Sequence, residues 1–322
     1  MPSIAFYAHK GGVGKSTLLL DTGFRLATKF DLPVVIIDGD SQVNTTLNLL
    51  ARNGVPCDDA FMKSLFQNNP SDGPTLYSYL SGAQPQPVFS MDHFLPVAGT
   101  EGKMRLLRGS PKLHELEAQL TGALYFPRVN PMAGLTLLNF HKLLVKIKAH
   151  YHDRVVILVD LSPSASLVNQ CLLLSCDRFV LPCMPDDGSM ISLHLLLRYL
   201  DLWAGTHTYL HAVKRPPTLL CAVLNRTTSG NALCEVYFRR IAALLPKETP
   251  LFRVQDGGEF TKFASFSHLS LFEITNALCL EHGLSGTAQV NAVRHDLHAI
   301  VDYIVSAFPI FSKLSKKRKQ LS

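Results

Sequence analysis

Charge is scarce in this chain: Asp, Glu, Lys and Arg make up only 17% of 322 residues, against an apolar share of 47%. That balance excludes a chain disordered along most of its length, because it offers ample side chains for a core. Glycine and proline, 20 and 19 residues, are too few and too aperiodic for a collagen-like or low-complexity chain. No uncharged apolar run reaches the ~18 residues of a membrane span. The first residues, MPSIAFYAHKGG, have no basic segment followed by an apolar run and a small-residue cleavage site. The expectation is a soluble, cytoplasmic protein.

Cysteine is also sparse and unpatterned. Seven residues (Cys57, Cys171, Cys176, Cys183, Cys221, Cys234, Cys279) form no CxxC pair, so they read as small core residues and not as disulfides or a zinc site. Histidine numbers 13, yet no HExxH occurs, and neither His207/His211 nor His295/His298 has a completing ligand nearby. The net charge of +6 is concentrated at one end. Lys313, Lys316, Lys317, Arg318 and Lys319 supply five of those charges, and no acid follows Asp302.

What is present is an alternation of strand and helix. The run SIAFYA leads directly into HKGGVGKST, then into a helical pattern ending near Lys29, then into the β-branched run PVVIIDGD. This is a βαβ unit with its second strand buried on both faces. Similar runs recur at 154–160, 179–185 and 218–225, with helical patterns at 137–150 before the first, 189–204 after the second and 232–245 after the third. The fold class expected is α/β: a mostly parallel central sheet with helices on both faces. Residues 54–75 and 82–103 read as loops around short elements, and there is no internal repeat. We expect one domain over 1–310 and a basic tail over 311–322.

Gly14, Lys15 and Ser16 match the end of the phosphate-binding pattern G-x-x-x-x-G-K-[ST], while His9 stands at its first glycine. A strand before and a helix after are the context this loop needs. Its backbone N–H groups point at phosphates, with Lys15 reaching them, Ser16 on Mg²⁺ and Thr17 opening an anion-favouring helix end. A second lysine, Lys10, opens the loop.

KGGVGKST with that second lysine resembles the deviant Walker A motif of the ParA/MinD family of P-loop ATPases, and ParA most closely. The resemblance implies ATP and Mg²⁺ as cofactors, with Gly11, Gly12, Val13, Gly14, Lys15, Ser16 and Thr17 around the phosphates. It also implies an ATP-dependent homodimer in which Lys10 reaches the partner's nucleotide, a cation placed as an arginine finger would be. VVIIDGDSQVNTT resembles the family's switch I segment, so Asp40 would position the attacking water and Asp38 would support the switch. VVILVDLSPSAS resembles Walker B and switch II, placing Asp160 near Mg²⁺. VLNR nominates Asn225 as an adenine contact. LYSYLSG and KMRLLRGSPKLHELEAQL resemble the family's middle section. Ser41 replaces the usual switch I proline, and Leu161-Ser162 replace the usual Thr-Pro, so hydrolysis should be slow or partner-dependent.

The loop lies ten residues from the start, as in the short ParA class. This resemblance implies non-specific DNA binding, nucleoid association in the ATP state and stimulation by a ParB-like adaptor at a partition site. Basic candidates for DNA are Lys214, Arg215, Arg239, Arg240, Lys316, Lys317, Arg318 and Lys319; a solvated tail is the plainer reading of the last four. KKRK also resembles a nuclear localisation signal. A MinD-like membrane anchor ranks second, since Pro309 interrupts the apolar stretch Phe308, Ile310, Phe311 and Leu314. A small-molecule ATP-dependent ligase is a further alternative on this fold. An iron–sulfur reductase would need interface cysteines that Cys171, Cys176 and Cys183 do not supply.

Overall fold

Strand-forming residues alternate their side chains between two faces, and in this chain both faces are apolar. The computed structural model describes residues 2–56, 58, 61, 63, 73–81, 87–125, 132–207, 216–227, 232–247, 249–255 and 300–307. The described strands are β1 (Ser3–Phe6), β2 (Val34–Gly39), β3 (Leu95–Pro96), β4 (Met104–Leu107), β5 (Val156–Leu161), β6 (Arg178–Cys183), β7 (Thr218–Thr227) and β8 (Leu251–Gln255). They form one sheet in the order β3-β4-β2-β5-β1-β6-β7-β8. Every pairing is parallel except β3 with β4.

The described helices are α1 (Lys15–Thr28), α2 (Asn44–Arg52), α3 (Leu76–Leu80), α4 (Leu113–Tyr125), α5 (Met132–His150), α6 (Leu167–Ser175), α7 (Asp187–His207) and α8 (Ala232–Leu244). A further helix covers 300–306. Alternation along the strands assigns them to layers. Ala5, Val35, Ile37, Ile157 and Val159 face one core, shared with Leu76, Leu113, Phe140, Leu172, Leu193 and Ile241 of α3 to α8. Ile4, Phe6, Val34, Ile36 and Leu158 face the other, filled by Leu18 and Phe24 of α1, Leu49 of α2 and Ile300, Val301 and Ile304. The mostly parallel α/β sheet with helices on both faces is therefore the observed architecture.

The sequence reading missed β4, β8, α2, α3, α4, α6 and the helix at 300–306 as elements. β4 and β8 are short, and α2 lies inside the motif VNTTLNLL, where threonines obscure a helical period. Between 82 and 103 the described short elements are the 3₁₀ turn Met91–His93 and strand β3. Cys171, Cys176, Cys183, Cys221 and Cys234 are free and buried. Burial pushes the Cys171 and Cys183 thiols up to about 12, so both behave as core residues. Cys57 and Cys279 lie outside the described residues.

Candidate nucleotide site

The carboxyl ends of β1, β2, β5, β6 and β7 converge on one edge of the sheet, where open α/β sheets bind ligands. β1 gives way to the loop 7–14, whose Gly12 (φ 74) and Gly14 (φ 84) take the left-handed conformation. Gly14 is the N-cap of α1. A side chain there would be strained, and a Cβ would sit 2.9 Å from the Asn225 amide nitrogen. Asn225, at the end of β7 and only 8% exposed, donates from Nδ2 to the Val13 carbonyl at 2.6 Å. It therefore clamps the loop from below. Gly11 and Gly12 are exposed, Ser16 and Thr17 half-buried, and Lys15 is buried at the first position of α1.

Three carboxylates line the neighbouring strand ends. Asp38 and Asp160 are direct neighbours in the β2–β5 register. Gly39, between Asp38 and Asp40, has no room for a Cβ, which would lie 2.8 Å from the Asp160 carbonyl oxygen and 2.7 Å from Leu172. Asp38 Oδ2 accepts from the Thr46 N–H at 2.8 Å and the Thr46 hydroxyl at 2.7 Å, and Oδ1 accepts from the Asp40 N–H. Burial, with the charge of Asp160 adding to it, pushes Asp38 up to about 7, against the lowering effect of the Thr46 bonds. Asp40 Oδ1 accepts from the Gln42 N–H at 2.9 Å. Burial also raises the Asp40 carboxyl, opposed by that bond; Asp160 raises it further and Lys15 lowers it.

Asp160 Oδ2 accepts from the Thr45 hydroxyl at 2.6 Å, while Oδ1 is buried without a partner. An orphaned carboxylate oxygen beside a phosphate loop fits a Mg²⁺ ion or its water shell. Among the described residues no cluster of three His, Cys, Asp or Glu could hold a metal alone. Mg²⁺ is typically held by one or two protein oxygens, phosphates and water, and Ser16 with Asp160 are of that kind.

Lys10 reaches from the loop to the turn between β6 and α7. Its ammonium pairs with Asp186, both side chains being about a third exposed (35% and 31%). Asp186 also accepts from the Ser189 N–H at 2.8 Å. Burial works against charge on Asp186, but the hydrogen bonds from Lys10 and Ser189 outweigh it and hold the carboxyl below its usual range. His9 packs edge-on against Tyr7 and Trp203 of α7, and burial lowers its ring pKa. The Tyr7 hydroxyl donates to the Ser164 carbonyl at 2.7 Å, tying the loop's root to the turn after β5.

That turn is held by residues to which sequence reasoning assigned no role. Asn169 donates to the carbonyls of Ser162 and Ser164 at 2.8 and 2.7 Å. Glu117 of α4 accepts from the N–H groups of Leu167 and Val168, capping α6. Beside them, Ser41, Ser162, Ser164, Ser166, His114 and Glu117 line a cavity of about 70 Å³. Val43, the N-cap of α2, takes φ 51, a backbone strain of about 1–3 kcal/mol for a β-branched residue. Thr45 and Thr46 stand in the segment VVIIDGDSQVNTT and Asp186 just past the run 179–185, and no spacing rule singles them out.

The structure thus brings together Lys10, Gly11–Thr17, Asp40, Asp160 and Asn225. Of the basic candidates, Arg239 and Arg240 are among the described residues. Arg240 pairs with Asp187 at 3.3 Å and lies over the Tyr237 ring. Arg239 is exposed on α8. Lys214, Arg215, Lys316, Lys317, Arg318 and Lys319 lie outside the described residues.

A glycine loop between a parallel strand and a helix, with carboxylates at adjacent strand ends, defines the class: a P-loop nucleotide-binding α/β protein. The profile of the family AAA_31, described as an AAA domain, matches residues 1–208, so the chain belongs to that family. The ParA/MinD recognition made on the motifs holds with it. No curated protein matches the sequence. Among solved structures, an ATP complex of a McdA variant from Cyanothece aligns at 16% identity with a TM-score of 0.64, covering 94% of this chain and 96% of that one. A plasmid partition protein from Borrelia burgdorferi bound to AMPPNP aligns at 14% identity and TM-score 0.58, covering 95% and 99%. A structure described as cobyrinic acid a,c-diamide synthase from Mycobacterium smegmatis, with ADP and magnesium, aligns at 18% and 0.56, covering 89% and 97%. At such identities these likenesses establish the fold.

Proposed function

We propose that this protein is a ParA-like ATPase that dimerises on ATP and acts as a partition or positioning switch for a DNA or other cargo. The observation that carries the reading is Lys10. The fold alone does not choose between a switch and a ligase, since it is shared with the synthase named above. A second lysine at the head of the loop, paired with Asp186 in the single chain, is a cation that a partner's phosphates can draw on.

In this reading the N–H groups of Gly11–Thr17 cradle the phosphates and Lys15 neutralises them from the helix end. Ser16 and Asp160 hold Mg²⁺, which supplies further neutralisation of the phosphoryl oxygens. Asp40 orients the attacking water through its second carboxylate oxygen, the first being occupied by Gln42. Asn225 holds the Val13 carbonyl and with it the loop. Lys10 of each chain meets the other's nucleotide, and dimers bind duplex DNA without sequence preference. A ParB-like adaptor accelerates turnover. Among the described residues no helix is long and apolar enough to cross a membrane.

Sedimentation with ATP or ADP tests this. Wild type and Asp40→Ala should dimerise with ATP, Asp40→Ala persistently, whereas Lys10→Ala should bind ATP and stay monomeric. Lys15→Ala should lose nucleotide altogether. An ATP-dependent dimer in Lys10→Ala would overturn the reading.

A further inference from the structure

Two consecutive threonines at the start of α2 hold two of the three buried strand-end carboxylates. Thr46 takes Asp38, and its hydroxyl in turn accepts the Gly109 N–H at 2.9 Å. Thr45 takes Asp160, 115 residues away, at 2.6 Å. Both threonines are fully buried, so water does not compete for these bonds.

We infer that Thr45 is a positioning residue for Mg²⁺: it fixes the Asp160 carboxylate so that one oxygen is spent on switch I and the other is presented to the metal. The inference rests on the nucleotide-site reading above. The physical argument is one of count and orientation. A free carboxylate rotates about its terminal bond and offers either oxygen. Here Oδ2 is occupied by the Thr45 hydroxyl, and Oδ1 is the buried atom left without a partner. A buried, unpaired anionic oxygen is costly unless a cation or a donor arrives, so the bond leaves one oxygen poised for Mg²⁺ or its water.

The same bond makes the metal report on switch I. Thr45 lies five residues beyond Asp40, on the helix that follows Val43 with its left-handed backbone. The bond at Oδ2 and a metal at Oδ1 share one carboxylate orientation, and that orientation is set from α2. Removing the hydroxyl should therefore weaken metal binding and leave the loop's grip on nucleotide intact. Asp38, held separately by Thr46, is unaffected.

The test is a titration of Mg²⁺ into the full-length protein with a fluorescent ATP analogue, read as nucleotide affinity, beside the same measurement in EDTA. Thr45→Val removes the hydroxyl at nearly constant shape; Thr45→Ala serves if valine crowds the helix; Thr45→Ser keeps the donor. Loss of such an outer partner costs about 10–100-fold in metal affinity. The Mg²⁺ midpoint should rise at least tenfold in Thr45→Val, return near wild type in Thr45→Ser, and leave affinity in EDTA within twofold. A Mg²⁺-dependent wild type with an unshifted Thr45→Val and Thr45→Ala would overturn the role of Thr45 alone. Equal losses with and without Mg²⁺ would also overturn it, since they mark a purely structural bond. Wild-type affinity indifferent to Mg²⁺ would remove the nucleotide-site reading and this inference with it.

Discussion

Lys10 and Asp186 form an ion pair that bridges the head of the phosphate loop and the exit of β6, across 176 positions of sequence. Both partners are about one-third exposed, and pairs of that kind are worth about 0–1 kcal/mol. The contact is thus a weak hold on the lysine that the proposed dimer needs. Asp186→Ala should release it and lower the protein concentration at which ATP-dependent dimers form, by up to about thirtyfold if the full ~1 kcal/mol is recovered at each of the dimer's two lysines. Sedimentation over a concentration series measures this. A shift to higher concentration would mean that Asp186 serves the dimer instead.

Asp38 should make folding stability depend on pH. Its carboxyl ionises about 7 in the fold, against an ordinary value of 3.8, because it is buried beside Asp160. The folded chain then holds a proton that the unfolded chain has lost between those values. This contribution is fully present below pH 3.8 and is lost as pH rises through 7. Urea unfolding at several pH values should show a smaller loss of stability between acid and neutral pH in Asp38→Asn than in wild type. Equal slopes would contradict it.

Asn225 should matter for nucleotide through the loop's backbone. Asn225→Ala removes the donor to the Val13 carbonyl, a buried bond whose loss costs about 1–3 kcal/mol. ATP affinity should fall for triphosphate and diphosphate alike, as the loop itself loosens. Isothermal titration with ATP, ADP and GTP separates this from an adenine contact, whose loss would narrow the gap between ATP and GTP.

The basic tail should carry part of the salt dependence of DNA binding. If all five charges of 313–319 meet phosphates, truncation after Ser312 should flatten the slope of log K against log salt by about 4.5 per tail. Affinity measured at several salt concentrations with ATP and ADP checks this. Equal slopes would assign the contacts to the body of the protein, with exposed Arg239 the first residue to test.

The sequence by itself determined the βαβ order, the two-faced burial of β2 and β5, and the phosphate loop, because each is a local pattern. Glycines, an apolar run and a helical period are neighbours in sequence, and their chemistry needs no distant partner. It also marked Asp38, Asp40 and Asp160 as strand-end carboxylates. Only the tertiary structure decided what those groups touch. Asp38 meets Asp160 because β2 and β5 are adjacent, although the chain visits α2 to α5 between them. Lys10 meets Asp186, Thr45 meets Asp160 and Glu117 meets the start of α6 through bonds that span 50 to 176 positions. No periodicity encodes such pairs. They arise from strand order and register, which depend on how the whole apolar pattern packs and not on any one segment.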